Sequence, residues 1–252
     1  MEKILLQDGE TAAVSGLLNL KRFPIEENNY ELQKNTGLPG MIKDGFLRVA
    51  VIPLCLIAFA LVPAAFAHGN HAIERIIEKQ KSIKTISAQF TQEKHSTMLK
   101  DPLISKGSFF YKSPDKVAWI YNGQLQIVSD GKDITVFYPQ LKEAEIIPLN
   151  KSIIRLPLNF NLAGLRQYFR IDLAEKKNRY VVTLTPISKT SMFSKMVIIL
   201  LRSGVPEIVK MFEKTGDRSI IRFKKRKINI KLPENIFNIK LPRGTAIKRF
   251  RQ

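Results

Sequence analysis

Three histidines, one cysteine and a scatter of carboxylates are the side chains of this sequence that could carry catalysis or hold a metal. His68 and His71 stand three residues apart, so two imidazoles could reach one ion, but no cysteine or acidic residue adjoins them. They also flank a predicted new N-terminus, where order is poor. His95 stands alone in a basic stretch and reads as a surface residue. Asp130 and Asp133 bracket Gly131, and aspartate at such a position stabilises a turn. No Gly-x-Ser-x-Gly elbow, phosphate loop or paired-carboxylate spacing is present. The expectation is a protein that is not an enzyme, with no cofactor and no metal.

The fate of the cysteine follows from the apolar stretch Met41–Ala67. Lys43 and Arg48 open it, Val49 to Val62 is apolar throughout, and Ala65-Phe66-Ala67 offers small residues at the two positions a signal peptidase inspects. That layout predicts a signal peptide over residues 41–67, cut after Ala67. An uncleaved anchor is the competing reading, yet the apolar run is short of the roughly 18–20 residues a spanning helix needs. Pro53 and Pro63 also oppose a continuous helix. Leu54 before Cys55 and an apolar chain after it argue against lipid attachment there. Cleavage leaves no cysteine, and so no disulfide and no thiol chemistry. Residues 1–40 are expected to be an upstream extension ahead of the true start at Met41. The domain expected is residues 68–252.

The whole chain has 41 Lys and Arg against 22 Asp and Glu, a net charge of +19. Residues 1–67 hold six basic and seven acidic side chains, so the excess lies beyond them. Such a surface attracts an anionic partner. Outside the cytoplasmic membrane, an anionic membrane or an acidic protein is the expected partner rather than nucleic acid.

The elements that must position any site are mostly strands. His71 to Ile86 places Ile73, Ile76, Ile77, Ile83 and Ile86 at approximately helical spacing and predicts an amphipathic N-terminal helix. Strands are predicted near Ala88–Gln92, Gly107–Tyr111, Val117–Tyr121, Gln124–Ser129, Ile134–Tyr138 and Ala144–Leu149. Asn122-Gly123 predicts a two-residue hairpin turn. Ser152–Phe169, broken by Pro157 and Gly164, reads as short helices or loop. Strands resume at Phe169–Leu173, Tyr180–Thr185, Val197–Leu201, Ile208–Phe212, Ser219–Lys231 and Phe237–Leu241. Regularly spaced short strands predict one mainly β (α+β) domain, a large curled antiparallel sheet. Its many large side chains, with so few helices to cover them, suggest an apolar concavity fit for a lipid-like ligand.

Several segments resemble the LolA family, periplasmic carriers of outer-membrane lipoproteins. Ile86-Ser87-Ala88-Gln89-Phe90-Thr91-Gln92 resembles its first strand, and Lys106-Gly107-Ser108-Phe109-Phe110-Tyr111 through Ser113-Pro114 to Trp119 resembles its next hairpin. Val128–Lys132 with Phe137-Tyr138-Pro139 follows in order, then Thr215-Gly216-Asp217, Asn229, Phe237 and Leu241-Pro242-Arg243-Gly244. The resemblance implies an unclosed antiparallel β-barrel around an apolar cavity, with the N-terminal helix and Ser152–Phe169 as lid. It implies a lipid-binding lining of Phe90, Phe109, Trp119, Ile127, Phe137, Leu156, Leu158, Leu162, Leu184 and Met211. One position departs: the family's better-known members place before the hairpin proline an arginine that hydrogen-bonds the lid, and this chain has Ser113.

The expected function is a periplasmic chaperone that shelters the acyl chains of lipoproteins, or a related lipid, between inner and outer membrane. The resemblance implies an inner-membrane release complex and an outer-membrane receptor as partners. A monomer is expected. The alternatives are a lipid- or lipoprotein-sensing regulatory module on the same fold, and a basic binder of nucleic acid or acidic polysaccharide.

Overall fold

The structure, a computed structural model, describes residues 67–149 and 160–250. The expected extension 1–40, residues 41–66 of the expected signal peptide, Leu156 and Leu158 lie outside the described residues.

Helix α1 (Ala67–Lys81) is followed by six strands: β1 (Thr85–His95), β2 (Leu103–Lys112), β3 (Lys116–Tyr121), β4 (Leu125–Asp130), β5 (Asp133–Tyr138) and β6 (Glu143–Pro148). The short helix α2 (Leu162–Leu165) separates them from β7 (Phe169–Lys176), β8 (Arg179–Pro186), β9 (Phe193–Leu201), β10 (Pro206–Glu213) and β11 (Arg218–Ile228). A 3-10 turn at Glu234–Phe237 leads to β12 (Ala246–Arg249). All twelve strands form one curled, unclosed sheet in the order β12-β6-β5-β4-β3-β2-β1-β11-β10-β9-β8-β7. Neighbours are antiparallel, joined by hairpins except where β1 meets β11, but β12 runs parallel to β6, with Ala246 opposite Glu143.

Alternation gives the sheet an inner and an outer face. On β2, Ser105, Gly107, Phe109 and Tyr111 are buried while Lys106 and Ser108 are not. The inner faces and Ile73, Ile76 and Ile77 of α1 join in one core. A smaller outer cluster of Ala118, Val128, Leu232 and Phe237 forms where the chain beyond β11 packs against β3 and β4.

Four local expectations are corrected. The helix stops at Lys81 and Ile86 belongs to β1, because Asn229 binds the junction. Its Oδ1 accepts from Lys84 N–H at 2.7 Å and its Nδ2 donates to Ser82 O at 3.1 Å. β11 ends at Ile228, since Asn229 takes a φ of +54°. The predicted strand at Phe237–Leu241 begins instead as a 3-10 turn after Pro233, and the last strand is β12, whose four exposed residues show no alternation. Tyr121 pairs with Leu125, so the Asn122-Gly123 hairpin has a three-residue loop with only Gly123 at positive φ (+70°).

The end of the barrel away from α1 is closed by polar groups. Lys94, on the inner face of β1, sits 3.6 Å from Glu213 and 3.7 Å from Asp217. Burial pushes the Asp217 carboxyl up, but the Thr97 N–H, the Ser96 and Thr97 hydroxyls and Lys94 outweigh it, holding it below its ordinary value. A carboxylate with a depressed folded value stabilises fully above the unfolded value of about 4, and that contribution is lost as pH falls through the folded value. The urea midpoint of Asp217→Asn is therefore expected below that of the unchanged protein at neutral pH. The difference should shrink as pH falls below about 4.

Candidate functional site

An aromatic column fills the middle of the barrel. Strand alternation turns Phe90 of β1, Phe109 of β2, Trp119 and Tyr121 of β3 and Phe223 of β11 inward. Trp119 lies 4.6 Å from Phe109, 5.1 Å from Phe90 and 5.7 Å from Phe223, ring centre to ring centre. Most of these contacts are edge-on or tilted, as ring quadrupoles favour. Opposite Phe90 on β2 is Gly107. A Cβ there would stand 2.2 Å from Ile120 O and 2.7 Å from Phe90 Cζ, so the Phe90 ring covers a strand position where only glycine fits. Tyr121, whose hydroxyl donates to Gln92 Oε1 at 2.7 Å, marks the change from aromatic to polar interior. Burial pushes its phenol well above the ordinary value.

Phe160 completes the column without belonging to any strand. Its ring stands 5.7 Å from Phe223, 5.8 Å from Phe109 and 6.0 Å from Trp119, and the residue is 3% exposed. It takes a φ of +56°, which a bulky residue rarely adopts. Such a conformation costs about 1–3 kcal/mol and persists only where the surroundings enforce it. Phe160 is thus a ring inserted between the strands from the segment that precedes α2.

The enforcing contact comes from α1. Ile73, Ile76, Ile77 and Gln80 follow the i, i+3, i+4, i+7 spacing of one helix face, and Gln80 is the polar member of that stripe. Its Nε2 donates to Phe160 O at 3.1 Å and to Gly204 O at 3.2 Å. Its Oε1 accepts from Leu162 N–H at 3.1 Å. One amide therefore joins α1, the lid segment 160–162 and the β9–β10 turn. An ion pair at 2.6 Å between Glu74 and Arg166 adds a second, exposed tie.

Beside this clasp lies a cavity of about 420 Å³. Its apolar wall includes Ile77, Ile83, Ile86, Tyr111, Pro114 and Phe160, and its polar lip includes Gln80, Lys81, Lys84 and Ser113. Ser113, the departure noted in the sequence, is thus at the barrel mouth, where its N–H donates to Lys84 O at 2.9 Å. The polar contacts that fasten the described lid residues come from α1, through Gln80 and the Glu74–Arg166 ion pair.

Of the residues expected to line the interior, Phe90, Phe109, Trp119, Ile127, Leu162, Leu184 and Met211 stand in one buried cluster, packed against other core residues. None of them borders the mouth cavity. Phe137 is corrected: Val136 pairs with Ile127 on the inner face of β5, so Phe137, paired with Gln126, points to the outer face. Tyr111, Phe160 and Gln80 were missed as site residues. Tyr111 was signalled by its place two residues beyond Phe109, and Gln80 by its polar side chain on an isoleucine stripe. Phe160 had no local signal.

Residues 81–240 match the family described as "Outer membrane lipoprotein carrier protein LolA". The chain is 24% identical over 206 residues to the outer-membrane lipoprotein carrier protein of Pseudomonas putida strain W619, covering 80% of this chain and 96% of that one. It is 26% identical over 208 residues to the protein of the same name in strain GB-1, covering 79% and 98%. Among solved structures it is similar to a LolA superfamily protein from Nitrosomonas europaea, at 12% identity and a TM-score of 0.40, covering 68% of this chain and 98% of that one.

Proposed function

This chain belongs to the LolA family of outer membrane lipoprotein carrier proteins, and from that premise we propose that it shelters lipoprotein acyl chains in the periplasm and carries them from inner to outer membrane. Each acyl CH₂ kept from water is worth about 0.8 kcal/mol, so one long chain left exposed costs on the order of 10 kcal/mol. A carrier must offset that cost and still release the chain.

The observation that carries the reading is Phe160, a ring on strained backbone lodged in the aromatic column, whose carbonyl is held by Gln80. In the empty carrier Phe160 occupies part of the space an acyl chain needs. Cargo enters through the mouth cavity, displaces Phe160, and breaks the Gln80 clasp. Closure of the clasp then opposes cargo burial, which keeps the bound state from becoming a trap. An acyl chain fits this column better than a polar ligand does, because its walls are rings and isoleucines.

Mass spectrometry of the protein isolated from the periplasm tests this reading, together with its ability to release an acylated lipoprotein from spheroplasts. Bound acyl lipid or lipoprotein and stoichiometric release are expected. Protein that never extracts an acylated substrate would sink the proposal. Gln80→Leu should keep the volume of the side chain but remove its hydrogen bonds, each worth about 0.5–1.5 kcal/mol. With the empty closed state weakened, dissociation of a fluorescent acylated peptide is expected to slow by about tenfold or more. Dissociation unchanged or faster would show that the clasp does not oppose cargo.

A further inference from the structure

The mouth of the barrel carries a cluster of cations without acidic partners. Beyond Arg222 strand β11 loses its β10 neighbour and pairs with β1 alone, through a bulge between Gln89↔Lys224 and Ser87↔Lys227. Lys225 stands in that bulge at a φ of +49°. The result is a ridge, Lys224-Lys225-Arg226-Lys227, whose three lysines are exposed and whose half-buried arginine lies near Glu207, running up to Asn229 and its bonds to the α1–β1 junction. Lys84, on the lip of the mouth cavity, and Lys231 extend the ridge on either side.

None of Lys84, Lys224, Lys225, Lys227 and Lys231 has a carboxylate partner among the described residues. Of the acidic side chains near the mouth, Glu78 is engaged with Lys81, Glu207 with Arg179, and Glu234 with Lys112 and Lys116, while Asp115 lies beside Pro114 and Tyr111 on the β2–β3 turn. Two isoleucines stand among these cations in the open, Ile228 at 42% and Ile230 at 36% exposure.

We propose that this lysine–isoleucine ridge docks the barrel mouth on an anionic phospholipid surface. Lysine ammonium groups are point charges that suit a diffuse field of lipid phosphates better than one fixed carboxylate. Juxtaposed cations are drawn to such a surface within a Debye length. Exposed isoleucines gain only where an apolar medium meets them, and the headgroup–acyl boundary provides it. The ridge is contiguous with the mouth through Lys84, so docking turns the cavity toward the membrane. This inference does not rest on the nature of the cargo.

Cosedimentation with vesicles of phosphatidylethanolamine and phosphatidylglycerol, against vesicles of phosphatidylcholine alone, tests it. The unchanged protein is expected on the anionic vesicles, with binding that weakens as salt rises. The triple variant Lys224→Glu, Lys225→Glu, Lys227→Glu should bind at least about tenfold more weakly. Ile228→Ser with Ile230→Ser should weaken binding several-fold without changing its salt dependence. Lys100→Glu, Lys189→Glu, Arg218→Glu makes the same change of charge at the opposite end of the barrel and should bind within about threefold of the unchanged protein. Equal loss in both triple variants would reduce the effect to net charge and overturn the proposal. So would absence of binding to anionic vesicles, or binding to polyglutamate in their place. Loading of an acyl probe from detergent micelles, measured on the same proteins, separates the two readings. Its failure touches the carrier proposal and leaves the docking result standing.

Discussion

Phe160→Gly is expected to bind a fluorescent acyl probe about ten- to a hundredfold more tightly than the unchanged protein, and to be less stable when empty. Removing a buried phenylalanine leaves a cavity and costs about 3–5 kcal/mol. Glycine returns part of that cost, because it accepts the φ of +56° that phenylalanine holds under strain. The remaining deficit exists only while the column is empty. An acyl chain refills the space, so the energy lost in the free protein reappears as affinity. About 1.4–2.8 kcal/mol recovered in this way is the ten- to hundredfold stated. Probe titration and thermal melts with and without the probe measure both halves. Phe160→Leu, which fills more of the space, should lie between the two proteins in affinity and in melting temperature. A fall in affinity in either variant would mean that the ring of Phe160 is part of the wall an acyl chain touches.

Gly107→Ala is expected to cost at least about 3 kcal/mol, or to prevent folding. In an unstrained strand that substitution stabilises by about 0.4–1 kcal/mol, by restricting the unfolded chain. Here the new Cβ falls 2.2 Å from a backbone oxygen of the neighbouring strand, and strands β2 and β3 must part to admit it. Overpacking of this kind costs about 1–3 kcal/mol where side chains alone adjust, and more where backbone must move. Chemical denaturation followed by tryptophan fluorescence reads the effect directly, since Trp119 is the only tryptophan and lies in the same column. The double variant Gly107→Ala, Phe90→Leu is a useful partner. It clears the ring contact at 2.7 Å but leaves the backbone contact, so it should recover little. Recovery to near the unchanged stability would show that the ring alone imposes glycine at this position.

These two positions also show what could be read ahead of the structure. Gly107 was visible in the sequence, at the head of a strand rich in aromatic residues, because the two-residue period of a strand and the residues of its turns are local properties. The family resemblance implied an inward place for Phe90, Phe109 and Trp119. It failed for Phe137, where one residue of register separates the inner face from the outer and Val136 takes the inner place. The two-residue period failed at β12, a short exposed strand whose pairing with β6 depends on a residue pair more than a hundred positions apart.

Sequence alone therefore determined most of the strands and the basic balance, which follow from composition and short-range order, and the order of its motifs carried the resemblance to the family. The tertiary structure decided which residues meet at the mouth. Gln80 reaches Phe160 and Leu162 some eighty residues away, and Gly204 more than a hundred and twenty away. The unpaired lysines of β11 meet Lys84 because β11 pairs with β1, Ile228 opposite Ile86, and Asn229 ties the end of that ladder. A polar side chain on an apolar stripe, or an aromatic in a loop, acquires its role from the atoms it meets. Chain closure over such distances is what brings those atoms within reach.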